Sequence, residues 1–532
     1  MFRLLSKISR FWLASNSKSE TKADHNYASI DLSKKLDDNL NDIRNILGQS
    51  SDVIIHKMKV GSHGNLDAAI IYIDGLVERN LVNQDILLPL MYHMQMVHDD
   101  TESKHSNFLE FIQTSVLTAG DISPLKDITS VTDAVLTGNT AILIEGFNQA
   151  LVINLRGWET RSLDEPKNES TIRGSKVGFN ETLRTNTALM RRIIRDPRLT
   201  FDSMEIGGRT KTDVNVAYIK GIAKDNLIEE VKQRLKRIDT DAILDVGYIE
   251  QFIEDSPSSL FPTIGNSERP DVAAARILEG RVAILVDGSP FALTVPMVFI
   301  EAFQSPDDYY ARPYFATAMR WVRFLAFETS IYLPAVYVAL MTYHQELFPT
   351  PLLITVAAAR EGIPFPAAVE AFLMLILFEI LREAGLRMPR PLGQAVSIVG
   401  ALVIGQTAVS AGLVGAPMVV VLATTAITSF VSPPQADLGA LLRFILLIAA
   451  SCLGMFGIVV VSIELISQLA ALRSFGIPYL SPITPLNISD LKDVFLRAPL
   501  WAMNDRPQSI GSPDSKRQAS SQQPGPDGGK KS

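Results

Sequence analysis

The chain has 532 residues, a formal net charge of −7, 20% charged and 47% hydrophobic residues, and one cysteine. An acidic chain without a nucleic-acid-reading motif is not expected to bind nucleic acid, and a single cysteine excludes a disulfide framework within the chain. Most charged residues precede residue 320 and the long apolar runs follow it. We therefore expect a water-soluble N-terminal region followed by a membrane-embedded region.

Residues 1–49 are predicted to form an N-terminal tail and one helix. The tail places Arg3, Lys7 and Arg10 among apolar residues and lacks the uninterrupted apolar core of a signal peptide. It is therefore either disordered or a short basic helix on a membrane surface, and the soluble region should begin on the cytoplasmic side. The helix is expected over Lys34–Leu47, where apolar residues recur at helical spacing.

The soluble region contains an internal repeat. Asp67–Leu81 matches Asp213–Leu227 at an offset of 146 residues, and Leu136–Leu151 matches Leu278–Leu293 at an offset of 142. Two matches in the same order at nearly equal offsets indicate a duplicated unit.

Each unit is predicted to be a small α/β or α+β domain. A strand ends at Gly75 or Gly221, helices follow, and a hairpin turns at Gly146 or Gly288. The predicted divisions are soluble subdomain 1 at 50–155, a linker at 156–199 and soluble subdomain 2 at 200–310.

The linker is expected to contain an amphipathic helix over Phe179–Ile194. Its polar face carries Arg191 and Arg192, and Arg195 follows the helix. These arginines indicate either a solvated face between two domains or a contact for an anion or a partner subunit.

A transmembrane domain with about four to six spans is predicted at 311–473. Residues 393–430 contain no charged side chain, and a bilayer core about 30 Å thick needs about 20 apolar residues per helix. The segment Pro351–Ala359 is too short to cross and is interpreted as re-entrant. The other expected membrane segments are about Val322–Tyr343, Ala367–Leu381, Gln394–Ser410, Val414–Phe430 and Leu438–Leu472, the last being one long helix or two crossings.

The distribution of basic residues predicts the orientation. The loop after the second span carries Arg382, Arg387 and Arg390, and the positive-inside rule places such a loop in the cytoplasm. The tail at 474–532 is predicted to be cytoplasmic and, being rich in Pro, Ser, Gln and Gly, disordered after about residue 507.

Catalytic signatures are absent from the sequence. It contains no zinc-protease, P-loop, dinucleotide-binding or nucleophile-elbow motif. We therefore expect a protein that is not an enzyme and that needs no cofactor or metal.

Ionisable residues within the apolar runs are candidate functional residues. Each costs roughly 2.5–3.5 kcal/mol at the centre of a membrane helix, so a transport or coupling role competes with structural pairing. The candidates are Glu328, Glu370, Glu379, Arg443 and Glu464.

The third expected span carries a polar row at i,i+4 spacing. A polar row interrupted by apolar side chains is typical of a pore with an apolar gate, and it also fits helix packing with polar contacts. The candidate pore-lining residues are Gln394, Ile398, Leu402, Gln406 and Ser410.

Four strings carry a family resemblance that extends from about Leu136 to Pro507. They resemble the A subunits of the GerA-family spore germination receptors. The strings are ERPDVAAARILEGRVAILVDGSPFALTVP (268–296), SPDDYYARP (305–313), ILREAGLRMPRPLGQ (380–394) and SFGIPYLSP (474–482).

The resemblance implies a location and partners. It implies the inner membrane of dormant spores, a transporter-like B subunit that binds the nutrient, and a C subunit that is a lipoprotein. It further implies a homo-oligomer, with a pentamer as the suggested assembly, that acts as a nutrient-gated ion channel. A secondary transporter and a non-conducting scaffold of the receptor are the alternatives.

Overall fold

The computed structural model describes two similar lobes, a bundle of apolar helices and a C-terminal tail. The described residues are 30–61, 66–92, 108–157, 166, 169, 171, 173–388, 405–431, 436–519, 522 and 524.

Lobe 1 is a five-stranded sheet with helices on both faces. Its strand order is β1-β2-β4-β5-β3, and every neighbouring pair is antiparallel. Its elements are α1 (Leu36–Leu47), β1 (Val53–Val60), β2 (Leu66–Ile73), the helical segments α2 (79–91) and α3 (108–116), β3 (Ile122–Leu125), α4 (Ile128–Leu136), β4 (Thr140–Ile144) and β5 (Ala150–Ile153).

Lobe 2 repeats this architecture. Its strand order is β6-β7-β9-β10-β8, again with antiparallel neighbours throughout. Its elements are α5 (Leu183–Ile193), β6 (Leu199–Ile206), β7 (Thr212–Ile219), α6 (Asp225–Lys236), α7 (Val246–Ile253), β8 (Gly265–Ser267), α8 (Pro270–Leu278), β9 (Val282–Val286) and β10 (Ala292–Val295).

Burial on both faces explains the long apolar strands. In β2, Ala69 and Ile71 pack with α1 and α4, whereas Ala68 and Ile70 pack with α2 and α3. Successive side chains of a strand point to opposite faces, so a sheet covered on both sides requires apolar residues at consecutive positions. Fully antiparallel pairing assigns the lobes to α+β, one of the two expected classes.

The first helix of each lobe begins with the same hydrogen-bonded loop. Asn39 accepts a hydrogen bond from the N–H of Ser33 (2.8 Å) and donates one to its carbonyl (2.6 Å). Asn186 forms the same pair of bonds with Asn180, at 2.9 and 2.7 Å. The duplication therefore includes α1 and α5, each of which covers the sheet of its own lobe.

In each lobe, the turn of one hairpin, β4–β5 or β9–β10, accepts a hydrogen bond from the first helix. The N–H of Leu36 donates to the Glu145 carboxylate at 2.6 Å. The N–H of Leu183 donates to the Asp287 carboxylate at 3.0 Å. The structure thus differs from the predicted divisions, which placed α1 with the tail and α5 in a linker, because both helices supply apolar faces that close a lobe.

The arginine-rich face of α5 joins the two lobes. Arg191 has no exposed surface, and its guanidinium contacts the Asp52 carboxylate at 2.7 and 2.9 Å and the Ser50 hydroxyl at 3.1 Å. The same hydroxyl accepts a hydrogen bond from the N–H of Phe201 at 2.9 Å. The interpretation of a solvated face is therefore wrong for Arg191, which forms a buried ion pair between lobe 1 and α5.

Apolar helices follow lobe 2. The longest of them, α10, packs against the four helices α12 to α15. The helices are α9 (Asp307–Tyr310), α10 (Pro313–Thr342), α11 (Thr350–Arg360), α12 (Ala367–Arg387), α13 (Ala416–Ser429), α14 (Ala436–Leu453) and α15 (Met455–Ala471).

The expected segment over 438–472 is two helices. Gly454 separates α14 from α15 with a φ of 64°, a conformation that suits glycine. At Gly457, α15 returns so close to the Ala449 carbonyl of α14 that a Cβ atom would collide with it. The two-helix alternative is therefore the one that the structure contains.

Membrane-spanning potential by length and composition is clear for one helix. Within the described residues, the 30-residue α10 satisfies both criteria, while α11, α13 and α15 are apolar but shorter. A domain with four to six spans therefore stays a prediction.

The tail packs against lobe 2. The Ser474 hydroxyl donates to the Thr263 carbonyl at 2.6 Å, next to a short β11–β12 pair (Arg473–Ser474 and Ile477–Pro478). Further along, Arg506 donates to the Leu278 carbonyl at 2.8 Å. The described tail to residue 519 thus differs from the expected disorder after 507, because side chains of polar residues satisfy backbone carbonyls of the lobe.

Candidate functional site

Two of the candidate intramembrane charges form a buried pair. Arg443 of α14 is 1% exposed and donates to Glu379 of α12 at 2.6 Å. The other Glu379 oxygen lies 3.0 Å from Arg382, one helical turn further on, and Arg382 lies 3.6 Å from Asp437. The two arginines are balanced by the two carboxylates of Glu379 and Asp437. These pairs fix the end of α12 to the start of α14.

Glu370 lies apart from the Arg443–Glu379 pair and has different partners. It is 1% exposed, and one carboxylate oxygen accepts a hydrogen bond from the N–H of Gly415 at 2.6 Å. The other oxygen lies 3.6 Å from the guanidinium of Arg360. The carboxylate therefore lies at the positive N-terminal end of α13 and connects three helices, α11, α12 and α13.

The remaining two candidate charges lie apart from these groups. Glu328 is half-buried on α10 and forms no ion pair within the described part of the chain. Glu464 is exposed on α15 and accepts a hydrogen bond from Gln468 at 3.0 Å. The five charges thus do not converge on one site.

The polar row lies largely outside the described residues. Gln394, Ile398 and Leu402 belong to the undescribed segment, so their proposed gate position is not tested. Gln406 and Ser410 lie in a short helical stretch before the α13 turn, and both side chains are exposed.

A further ionic cluster, which the sequence reasoning did not identify, lies where lobe 2 meets α10. The Asp308 carboxylate contacts Arg320 at 2.9 Å and Arg323 at 2.9 Å. Arg320 also lies 2.8 Å from the Asp493 carboxylate of the tail. Burial alone would raise the pKa of Asp308, but the hydrogen bonds and charges of Arg323 and Arg320 outweigh it and hold that pKa below its ordinary value.

Tyr309 and Arg497 extend this cluster. The Tyr309 hydroxyl donates to Asp493 at 2.7 Å, and Arg497 donates to the Tyr309 carbonyl at 3.2 Å. We call the group Asp308, Tyr309, Arg320, Arg323, Asp493 and Arg497 the ionic junction. It joins the exit of lobe 2, the start of the first apolar helix and the tail.

The sequence held a signal for the junction. The string at 305–313 places two aspartates and two tyrosines directly before α10, and Arg320 and Arg323 lie three residues apart on one helix face. The sequence does not connect these arginines with Asp493, because the tail that supplies Asp493 lies about 170 residues further along the chain.

Comparison with known proteins identifies the family. The sequence model of the "Bacillus/Clostridium GerA spore germination protein" family matches residues 41–509. The chain belongs to this GerA family. The resemblance found in the sequence is thereby confirmed.

Relatives of this GerA-family chain cover almost its whole length. "Spore germination protein KA" of Bacillus subtilis is 44% identical over 93% of this chain and 90% of the relative. "Spore germination protein GerLA" of Bacillus cereus is 39% identical over 91% and 98%. "Uncharacterized membrane protein YfkQ" of Bacillus subtilis is 42% identical over 93% and 94%.

One solved structure is also similar. It is the N-terminal domain of the A subunit of the Bacillus megaterium spore germinant receptor GerK3, with 38% identity and a TM-score of 0.41. The match covers 51% of this chain and 99% of that domain.

Proposed function

We propose that this protein is the A subunit of a spore germinant receptor and acts in nutrient-triggered germination. The observation that carries the proposal is the family match over residues 41–509. Full-length relatives with the name spore germination protein support it.

Within this role, the protein acts as an oligomeric, nutrient-gated ion channel in the spore inner membrane, together with a B subunit that binds the nutrient and a lipoprotein C subunit. The exposure of Gln406 and Ser410 supports a pore between copies. Polar side chains in a membrane helix usually face a protein interior or a water-filled cavity, and these two point away from their own bundle. The polar row would then face the same row of residues in neighbouring copies of the chain.

The ionic junction connects the lobes to the helices of the proposed pore, so that a movement of the lobes can be transmitted to them. A rearrangement of lobe 2 moves Asp308, and the two arginines of α10 follow because their partners are buried with them. Since α10 contacts α12 to α15, a displacement of α10 also moves the helices beside the polar row.

The contacts at the helix ends support lobes on the cytoplasmic side. Arg382 and Asp437 lie together at the end of α12 and the start of α14. The far ends of α10 and α14 meet where the Tyr343 hydroxyl donates to the Ser451 carbonyl at 2.9 Å. The end of α12, with Arg382 and Arg387, is therefore on the same side as the lobes, and the positive-inside rule makes the side with such basic residues cytoplasmic.

A scaffold without conductance is the second candidate, because three of the five candidate charges are already paired within the bundle. A secondary transporter is less well supported, since such proteins commonly repeat their membrane part and the repeat observed here is in the lobes.

The test uses spores in which the gene is deleted and then restored. Deletion should abolish the nutrient-triggered release of cations, and the restored gene should recover it. Spores that carry Leu402→Ala should release cations without nutrient, because a smaller side chain lets water enter an apolar gate. Normal nutrient-triggered release after deletion of this gene and its close copies would contradict the proposed function.

A further inference from the structure

One segment of the tail is fixed to the lobe-side ends of the apolar helices. Leu491 and Phe495 pack against the cluster that contains Leu438, near the start of α14. The Phe495 ring also stacks on Trp321 of α10, with ring centroids 5.3 Å apart. Residues 483–500 therefore lie alongside the first turns of α10, held there by one set of apolar side chains.

A second set of apolar side chains in the same segment is exposed. Leu486 and Ile488 are 68% and 60% exposed, and Leu496 and Leu500 are 41% and 51% exposed. We call these four residues the tail face. Large apolar side chains that are grouped and exposed indicate a contact with an apolar partner or with a membrane.

The length of α10 places this segment relative to a bilayer. Helix α10 has 30 residues and α14 has 18. The far ends of the two helices meet where the Tyr343 hydroxyl donates to the Ser451 carbonyl at 2.9 Å, so the additional turns of α10 lie on the side of the lobes. A helix of 30 residues is about 45 Å long, and a bilayer with its headgroups is about 40–45 Å thick. The first turns of α10, and the tail beside them, therefore lie at the level of the headgroups.

The exposed residues of these first turns are typical of a membrane interface. Tyr314, Phe315 and Trp321 are 79%, 60% and 43% exposed, and Arg312 directly before the helix is also exposed. Tyrosine and tryptophan are enriched where a membrane meets water, and arginine is enriched on the cytoplasmic side. Leu325, one turn after Trp321 and 58% exposed, continues the apolar surface along α10. This continuity favours lipid over a separate protein partner.

We propose that the tail face binds the lipid surface of the membrane. Leu486 and Ile488 insert at the boundary between headgroups and acyl chains, where the apolar faces of interfacial segments are buried by about 5–10 Å. Phe495 keeps the other side of the segment on α10. This inference rests on the membrane location in the proposed function and goes beyond it, because it makes the tail a lipid-binding element that holds Asp493 of the ionic junction at the membrane surface.

The test measures the quenching of a fluorophore by nitroxide-labelled lipids. The full chain with Cys452→Ser, which removes its single cysteine, carries Leu486→Cys labelled with the fluorophore NBD. It is reconstituted in nanodiscs of equal parts phosphatidylcholine and phosphatidylglycerol. The nitroxide is placed either near the headgroup or near the middle of the acyl chain, so that shallow and deep contacts are distinguished.

Two labelled positions of similar exposure are the controls. Ile463→Cys lies near the middle of α15, and Leu244→Cys lies in lobe 2; the natural side chains are 63% and 64% exposed. Leu244 is next to Asp245, whose carboxylate accepts a hydrogen bond from the turn of the β9–β10 hairpin. Ser474 of the tail instead bonds the chain just after the other end of β10, so Leu244 is on the far side of the lobe from the helices.

The shallow nitroxide should quench the label at Leu486→Cys more strongly than the deep one, and the deep nitroxide should quench Ile463→Cys more strongly than the shallow one. Neither should quench Leu244→Cys. Ile488→Cys, a second position on the tail face, should repeat the pattern of Leu486→Cys.

Quenching at Ile463→Cys without quenching at either tail position would overturn the proposal and leave the membrane location intact. A blue-shifted but unquenched emission at Leu486→Cys would overturn it as well, because protein would then cover the tail face. Absence of quenching at Ile463→Cys would contradict the membrane location itself, and with it this inference.

Discussion

Glu250 in α7 is a carboxyl group whose ionisation opposes the folding of lobe 2. Burial, with the nearby charges of Glu254 and Asp245, raises its pKa to about 7 from an ordinary value of 4.5. Between these two pH values the folded state binds more protons than the unfolded state, so stability falls as the pH rises through this window. Glu250→Gln should flatten this part of the dependence of the melting temperature on pH.

The control for Glu250→Gln is Glu229→Gln, which removes an exposed carboxylate of α6. Thermal melting of the full chain between pH 4.5 and pH 7.5 compares the two variants with the natural protein. A Glu250→Gln profile that parallels the natural one would contradict the assignment of the raised pKa.

Arg191 holds the two lobes together through a fully buried ion pair. Arg191→Met would leave the Asp52 carboxylate buried without its partner, a loss that typically costs about 3–5 kcal/mol. Phe201 donates its N–H to Ser50 within the same joint. Hydrogen exchange of the Phe201 amide in the full chain should therefore accelerate by roughly 100-fold or more.

The matched control for Arg191→Met is Lys57→Met. Lys57 and Asp37 also form an ion pair at 2.7 Å, but their side chains are 53% and 79% exposed. Exposed pairs contribute about 0–1 kcal/mol, so exchange should change little. Equal effects of the two variants would show that burial does not strengthen the lobe joint.

At the scale of elements, the close contact of α14 and α15 depends on Gly457. A Cβ atom there would collide with the Ala449 carbonyl, whereas Gly439 on α14 has open space around its Cα. Gly457→Ala should destabilise the hairpin by about 1–3 kcal/mol through overpacking. Gly439→Ala should be neutral or slightly stabilising, because alanine is the better helix former.

Thermal melting of both glycine variants in the same detergent measures this difference. A melting temperature of Gly457→Ala at or above that of Gly439→Ala would contradict the packed hairpin.

The sequence predicted the elements that depend on local patterns. The apolar spacing over Lys34–Leu47 predicted α1, and the repeated strings predicted two units that the structure shows with equal strand order. The turn glycines Gly146 and Gly288 have φ values of 89° and 85°, as expected for positions that end the strands of a hairpin.

Features that depend on contacts distant in sequence were not predicted. Arg191 looks like a solvated residue on a polar helix face, and its burial depends on Asp52, 139 positions away. Composition suggested a disordered end of the tail, yet Ser512 donates to the Ile222 carbonyl at 2.6 Å. Composition and periodicity indicate the local preference for secondary structure and exposure. The burial of Arg191 and the ordered position of Ser512 depend instead on partners that are distant in sequence.

At the scale of the whole molecule, the orientation in the membrane can be tested directly. A phosphatase reporter that is active only outside the cytoplasm should be inactive when inserted after Met388. The same reporter inserted after Gln345, at the opposite end of α10, should be active. Both expectations follow from the proposed cytoplasmic position of the lobes and from Arg382 at the end of α12, next to Asp437 at the start of α14. The reverse pattern of activity would contradict the cytoplasmic position of the lobes.

The proposed role also requires that the two halves of the molecule act on each other. The ionic junction is the described contact that links lobe 2, α10 and the tail by charged side chains. Gln406 and Ser410, the described residues of the polar row, belong to the helical part of the molecule. Conductance by the assembled chain is therefore the property on which the account depends.

Current through planar bilayers that contain the purified full chain, alone and with its partner subunits, measures that property most directly. The account predicts nutrient-dependent current with the partners present and nutrient-independent current for Leu402→Ala, at equal amounts of incorporated protein. It predicts that Leu402→Trp assembles normally and carries no current. Absence of current from every preparation, with the chain folded and incorporated, would contradict the channel and support a scaffold.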